Sequence, residues 1–173
     1  HNLGSLVTQW YKKNGRQNLP WRKSITPYKV WISEMMLQQT QVVTAQSYYS
    51  KFLKKYPSLT SMKMATEDDI LSLWSGLGYY RRASFIYQAK EKIFLDFNGR
   101  FPATYDELIT LPGIGRSTAG AILSIAYQKP FPILDANVKR VLARLFLQQE
   151  FKEGLFWNLS AQCLDEDLSL IHI

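Results

Sequence analysis

Two carboxylates stand in surroundings that would give them opposite protonation states. Glu34 lies in the run Val30-Trp31-Ile32-Ser33-Glu34-Met35-Met36-Leu37. On a helix it shares a face with Val30, Trp31, Leu37 and Gln38. A carboxyl so placed is partly desolvated, which raises its pKa and lets it hold a proton near neutral pH. The ordinary alternative is a solvated glutamate on a helix exterior, and apolar neighbours on almost every side argue against it. Asp135 follows Pro132-Ile133-Leu134 and precedes Ala136-Asn137-Val138, where capping a helix is sufficient reason for its presence. The amides and dipole at that helix start also favour its anionic form, suited to steadying an adjacent cation. One proton-bearing acid beside one fixed anion is the division of labour that breaks a glycosidic bond through an oxocarbenium-like state.

Other chemistries are poorly supplied. The two histidines are His1 and His172, at the extreme ends, and Cys163 is the single cysteine. That removes a histidine-based triad, a zinc site, an iron–sulfur cluster and a disulfide framework from this sequence as it stands. No apolar run approaches the roughly 18 residues of a membrane span.

A glycine hairpin offers a seat for phosphate. Leu111-Pro112-Gly113-Ile114-Gly115 leads into Arg116-Ser117-Thr118-Ala119-Gly120 and then an apolar helix. Gly113 and Gly115 permit positive φ and close backbone approach, while Pro112 stops the preceding helix. Amides of a tight turn opening a helix carry partial positive charge outward, and Arg116, Ser117 and Thr118 add further donors. No strand precedes the turn and Ala121 stands where a P-loop has lysine, so the nucleotide-binding motifs are excluded. An ordinary helix corner is the alternative; the adjacent donors favour a nucleic-acid backbone. A second turn, Gly76-Leu77-Gly78-Tyr79-Tyr80-Arg81-Arg82, repeats the recipe. Its tyrosines could wedge into a base stack while the arginines hold phosphates, or the rings could plug a helix corner.

The charge agrees with a polyanionic partner. The chain has 173 residues and net charge +7. Up to residue 66 the bases are Lys12, Lys13, Arg16, Arg22, Lys23, Lys29, Lys51, Lys54, Lys55 and Lys63, and Glu34 is the only acid. A basic, aromatic-rich front suits stackable bases on a phosphate backbone, although a merely soluble basic protein has the same composition.

The elements that must position these groups are helical. Apolar spacing predicts helices near 3–13, 28–45, 47–56, 67–74, 80–96, 105–110, 116–127, 136–148 and 154–163. Thr66 to Asp69 and Thr104 to Glu107 each fit a capping box. Connections are short, with no repeat, low-complexity tract or strand pattern. An all-α protein follows. With His1 rather than a methionine first, the natural start is expected to lie upstream. Residues 168–173 match one reading frame of a common transposon sequencing adapter, so they are expected to be a non-native tail on a gene that continues beyond Asp167.

Taken together, Leu19-Pro20-Trp21-Arg22, the run from Pro27 to Val42, the Gly76 to Tyr80 turn, the Leu111 hairpin and the run from Ile133 to Val141 closely resemble the adenine DNA glycosylases. These belong to the helix–hairpin–helix superfamily of base-excision repair enzymes. The resemblance runs in unbroken order over about residues 5–160. It implies two helical lobes, with residues 20–130 forming a six-helix lobe and residues 1–19 and 131–167 parts of an incomplete second lobe. It implies a monomer, intracellular and nucleoid-associated if bacterial, acting on duplex DNA with adenine mispaired to 8-oxoguanine or guanine. The adenine leaves the stack before its bond is reached.

By that resemblance Glu34 is the general acid, Asp135 stabilises or traps the sugar cation, and Asn137 holds the arrangement. Gln39 and Tyr79 fill the stack around the lesion, and Trp21 and Arg22 border the adenine pocket. Gly113, Gly115, Arg116 and Thr118 clamp phosphate, with a monovalent cation on the hairpin carbonyls as a further implication. Ser117 stands where the endonuclease III type has a catalytic lysine. Without an amine no Schiff base forms, so a monofunctional glycosylase is expected. The family also carries a 4Fe-4S cluster, whose cysteines are absent from this sequence. The 173-residue chain is therefore expected to bind DNA weakly and excise adenine poorly. The alternatives are a non-catalytic DNA-binding module and an endonuclease III-like glycosylase for oxidised pyrimidines.

Overall fold

The computed structural model describes residues 3–148, 150 and 152–164. Among them are helices α1 (Leu3–Asn14), α2 (Pro27–Leu37), α3 (Val42–Lys55), α4 (Glu67–Trp74), α5 (Arg81–Asp96), α6 (Tyr105–Leu108), α7 (Arg116–Ala126), α8 (Ala136–Leu145) and α9 (Glu153–Gln162). Short 3₁₀ turns occur at Pro20–Arg22 and Thr60–Met62. No strand occurs among the described residues, and no helix of theirs is long and apolar enough to cross a membrane. The proposed tail at 168–173 lies outside the described residues.

Side-chain caps account for four of the helix starts, those of α2, α4, α6 and α8. Thr26 caps α2 by accepting from the Lys29 amide, with Pro27 at the first helical position, where its missing N–H costs nothing. Thr66 and Asp69 form the full capping box on α4. At α6 the box is half made: the Glu107 amide donates to Thr104 Oγ1, while the Glu107 carboxylate takes the Thr104 hydroxyl. Asp135 caps α8 as expected, its Oδ1 accepting from the Val138 amide at 2.7 Å.

The expected helix at 28–45 is broken. α2 stops at Leu37 and α3 starts at Val42, with Gln39 at φ 54° between them. Neither Gly nor Pro marks this break. Its cause is tertiary: the guanidinium of Arg82, from α5, takes the carbonyls of Met35, Met36 and Gln38. Carbonyls that would otherwise be left by the last turn of a helix are thus satisfied from outside. The ends of α6 and α8 also fall short of 110 and 148.

Two buried clusters organise the packing. The larger is drawn from α2–α7 and their connections, with Trp31, Met35, Phe52, Trp74, Ile86 and Ile122 at its centre. The smaller joins Leu134, Leu142, Phe156, Trp157 and Leu159. The pairing of α2 with α7 is the most extensive between any two elements, so the helix carrying Glu34 is backed by the helix that follows the glycine hairpin.

Candidate active site

Glu34 is half-buried in the middle of α2. Its carboxyl is pushed up to about 7, first by loss of solvent and second by the negative charge of Asp135. The second cause is also geometric. Two residues far apart in the chain lie close enough for one charge to act on the other.

Gly120 and two serines bring Asp135 there. A Cβ on Gly120 would stand 2.6 Å from the carbonyl oxygen of Pro132, so only glycine lets the segment after α7 lie flat against that helix. The Leu134 amide donates to Ser117 Oγ at 3.3 Å, and Ser160 Oγ on α9 donates to the Ile133 carbonyl at 2.7 Å. Held from both sides, the segment delivers Asp135, exposed, at the start of α8. Asn137 lies two residues further along, also exposed, and its side-chain oxygen accepts from Arg140.

At the hairpin the two glycines do different work. Gly113 has φ 78°, and a Cβ there would meet Phe85 Cβ at 2.7 Å and Met35 Cε at 3.0 Å. Gly115 does not adopt the positive φ expected of it. It is extended, at φ −90° and ψ −178°, and a Cβ there would meet nothing within 4 Å. The first hydrogen bond of α7 runs from the Ala119 amide to the Gly115 carbonyl at 2.9 Å, so the amides of Arg116, Ser117 and Thr118 precede it. Such amides form an anion seat. The side chains correct the expectation in part. Thr118 is 7% exposed and its hydroxyl takes Gln38 Nε2 at 3.5 Å, so only its backbone can reach a phosphate. The Arg116 guanidinium lies 3.9 Å over the ring of Trp157, tying α7 to α9.

The second turn resolves its two readings by residue. The Gly76 amide donates to Tyr80 Oη at 3.1 Å, and Trp74 Nε1 donates to the Gly78 carbonyl at 3.1 Å. Tyr80 therefore braces the turn through its hydroxyl although the residue is also exposed, whereas Tyr79, at φ 49° and 62% exposed, projects outward. Gln39 is exposed likewise. Arg82 is not a phosphate-binding cation: it is 6% exposed and committed to backbone carbonyls. Trp21 sits edge-on to Tyr49 of α3 with ring centres 5.6 Å apart. The Arg22 guanidinium lies 4.7 Å from the centre of the Tyr11 ring.

Gly120 and Arg82 are the residues whose roles sequence reasoning missed. Gly120 looked like part of a glycine motif, and nothing local announces that its missing side chain makes room for Pro132. Arg82 follows Arg81, and a basic pair beside tyrosines reads as surface.

Residues 32–155 match the HhH-GPD superfamily of base excision DNA repair proteins, and the chain belongs to that superfamily. Within it, the chain is similar to curated adenine DNA glycosylases. It is 55% identical over 144 residues to the protein of Buchnera aphidicola subsp. Schizaphis graminum, covering 83% of this chain and 42% of that one. To the human protein it is 41% identical over 176 residues, covering 94% of this chain and 32% of that one. The chain thus spans less than half the length of these relatives. Among solved structures, a thermostable thymine-DNA glycosylase superposes with TM-score 0.84 at 23% identity, covering 97% of this chain and 84% of that one. A non-covalent endonuclease III–DNA complex superposes with TM-score 0.81 at 21% identity, covering 98% and 78%. The all-α, helix–hairpin–helix fold class expected from sequence holds.

Family members commonly hold a 4Fe-4S cluster. The residues here do not fit one: Cys163 is the single cysteine, and no group of three or more metal-binding side chains occurs among the described residues.

Proposed function

We propose that this chain is the base-excising portion of an adenine DNA glycosylase, hydrolysing the bond between adenine and deoxyribose where adenine is mispaired with 8-oxoguanine or guanine. The observation that carries the proposal is the pairing of Glu34 with Asp135. Glu34 keeps its proton to about pH 7, partly because Asp135 stands near it. The similarity to adenine DNA glycosylases supplies the substrate. In this reading residues 20–130 form one lobe and residues 1–19 and 131–167 part of another, with the adenine turned out of the stack between them.

The steps follow from the groups present. The Glu34 carboxyl donates its proton to a ring nitrogen of the extruded adenine, which makes the base a better leaving group. As the glycosidic bond lengthens, positive charge grows on the sugar, and the Asp135 carboxylate lies beside it as a fixed anion. Glu34, now a carboxylate, takes a proton from the water that attacks the anomeric carbon. Ser117 offers no amine, so no Schiff base forms and the strand is left uncut. Asn137 holds the helix start around Asp135, and Trp21 and Arg22 border the adenine. Gln39 and Tyr79 enter the stack, while Gly113, Gly115 and the amides through Thr118, with Arg116 alongside, grip the phosphate backbone. A hairpin-bound monovalent cation belongs to the same reading, and a 4Fe-4S cluster would need ligands from outside this sequence.

Single-turnover release of adenine from an adenine:8-oxoguanine duplex tests the proposal in the full-length protein. Glu34→Gln is expected to slow release about 10²–10⁴-fold and Asp135→Asn about 10²–10³-fold, with duplex affinity nearly intact. If both variants bind less tightly and release adenine as fast once bound, the acid pair is not the catalyst. A duplex carrying oxidised pyrimidines as the preferred substrate would move the chain to the endonuclease III type.

A further inference from the structure

Arg82 makes six hydrogen bonds, all to protein, and has no ion pair with a carboxylate among the described residues. The steps above do not use it. Burying an arginine without a counter-anion is costly unless its donors are met. Here they are met by two parts of the chain, the end of α2 with the loop after it and the turn before α5. Nη1 donates to the carbonyls of Met35 and Met36, each at 2.9 Å, and of Gln38. Nη2 donates to Thr40 Oγ1 at 3.1 Å and the Gly78 carbonyl at 3.0 Å, and Nε to the Tyr79 carbonyl at 3.4 Å.

One planar fork therefore holds the groups on both sides of Gln39 and the peptide carbonyls on both sides of Tyr79. Those two residues share an unusual property. Each is a non-glycine in the left-handed region, at φ 54° and φ 49°, and each is exposed. Such a backbone costs roughly 1–2 kcal/mol at a residue with a Cβ and persists where its surroundings over-determine it. The geometry points to Arg82 as a positioning residue that sets Gln39 and Tyr79 as the two prongs of a single wedge into the DNA stack. This rests on the glycosylase reading for what the wedge enters. Arg82 touches no reacting atom. Its work is to fix the register of two side chains that must arrive together, since each loop left to itself relaxes out of positive φ. Lysine offers a compact point of charge without the fork and cannot span both loops.

Arg82→Lys and the milder Thr40→Val test this in the full-length protein. The probe is a duplex with 2-aminopurine beside the mispaired adenine, whose fluorescence rises when the neighbouring stack opens. Arg82→Lys is expected to lose most of that rise and to slow release about 30-fold, since small misplacements carry losses of that order. Binding stays within about threefold, because the hairpin grip is untouched. The pH midpoint set by Glu34 does not move. On a duplex with the adenine already unstacked in a bulge, the variant recovers to within about threefold of the unmodified protein. Thr40→Val shows the same pattern with about a threefold slowing, roughly the loss of one hydrogen bond, and decides the matter if Arg82→Lys fails to fold. A normal fluorescence rise in the variant, or equal slowing on stacked and bulged substrates, overturns the assignment. The fluorescence needs no bond cleavage. An unmodified protein that opens the stack but releases no adenine therefore refutes the glycosylase reading and still leaves Arg82 judged by its variants. One that does neither overturns both.

Discussion

Glu34 holds its proton to about pH 7 because of burial and of an aspartate from elsewhere in the chain, and both causes have measurable signs. In the proposed mechanism its proton activates the leaving group, so single-turnover adenine release is expected to be level below pH 7 and to fall about tenfold per pH unit above it. A profile level through pH 9 would remove Glu34 as the acid. The same shift affects stability in the opposite sense to a salt-bridged carboxylate. The folded value of about 7 lies above the ordinary 4.5, so the folded state holds the proton more tightly. Glu34 therefore imposes no penalty below about pH 4.5, and the penalty grows from there to pH 7 and stays constant beyond. Glu34→Gln removes it, stabilising the protein by up to about 3 kcal/mol at pH 8 and hardly at all at pH 4. Urea unfolding at the two pH values checks this, and equal effects at both would place the carboxyl in water. Glu34's apolar face was legible in the sequence because period 3.6 puts those neighbours on its own helix. The contribution of Asp135 was not, since chain position carries no distance.

The three glycines around α7 separate conformational need from ligand space. Gly113→Ala adds a Cβ at positive φ against Phe85 and Met35 and is expected to destabilise by about 1–3 kcal/mol. Gly115→Ala meets open space and costs under about 1 kcal/mol as a helix cap, yet it intrudes where a phosphate would sit. It is expected to weaken duplex binding about tenfold with little change in the unfolding midpoint. Unchanged binding would mean that the space is not a phosphate seat. Gly120→Ala gains helix propensity but pushes Pro132 outward, and adenine release falls more than stability does. At this scale the sequence located seven of the helices to within three residues, because apolar stripes and caps are local signals, while α3 starts at Val42 and not at the expected 47. The break at residues 38–41 was illegible: its cause is a guanidinium from α5, and local spacing there continues to favour a helix.

Across the molecule, the segment between α7 and α8 is the only covalent connection from the larger cluster to the smaller among the described residues, and it carries Asp135. Ser117 fastens it to α7 and Ser160 to α9, so its position reports on both clusters at once. Ser160→Ala leaves the Ile133 carbonyl without that donor, at a cost of about 1–3 kcal/mol, and loosens Asp135. Adenine release is expected to slow about tenfold. Its pH midpoint should fall below 7, because a more distant Asp135 raises the Glu34 pKa less. An unmoved midpoint would show that Asp135 keeps its place without Ser160. The basic front, the helix periods, the hairpin and both carboxylates could be read from the chain alone, since composition and local spacing set them. Three facts came only from the folded molecule: that the carboxylates converge, that Arg82 turns inward to hold two loops, and that Gly120 is the gap through which Asp135 arrives. Each depends on the distance between residues remote in sequence, and packing alone sets that distance.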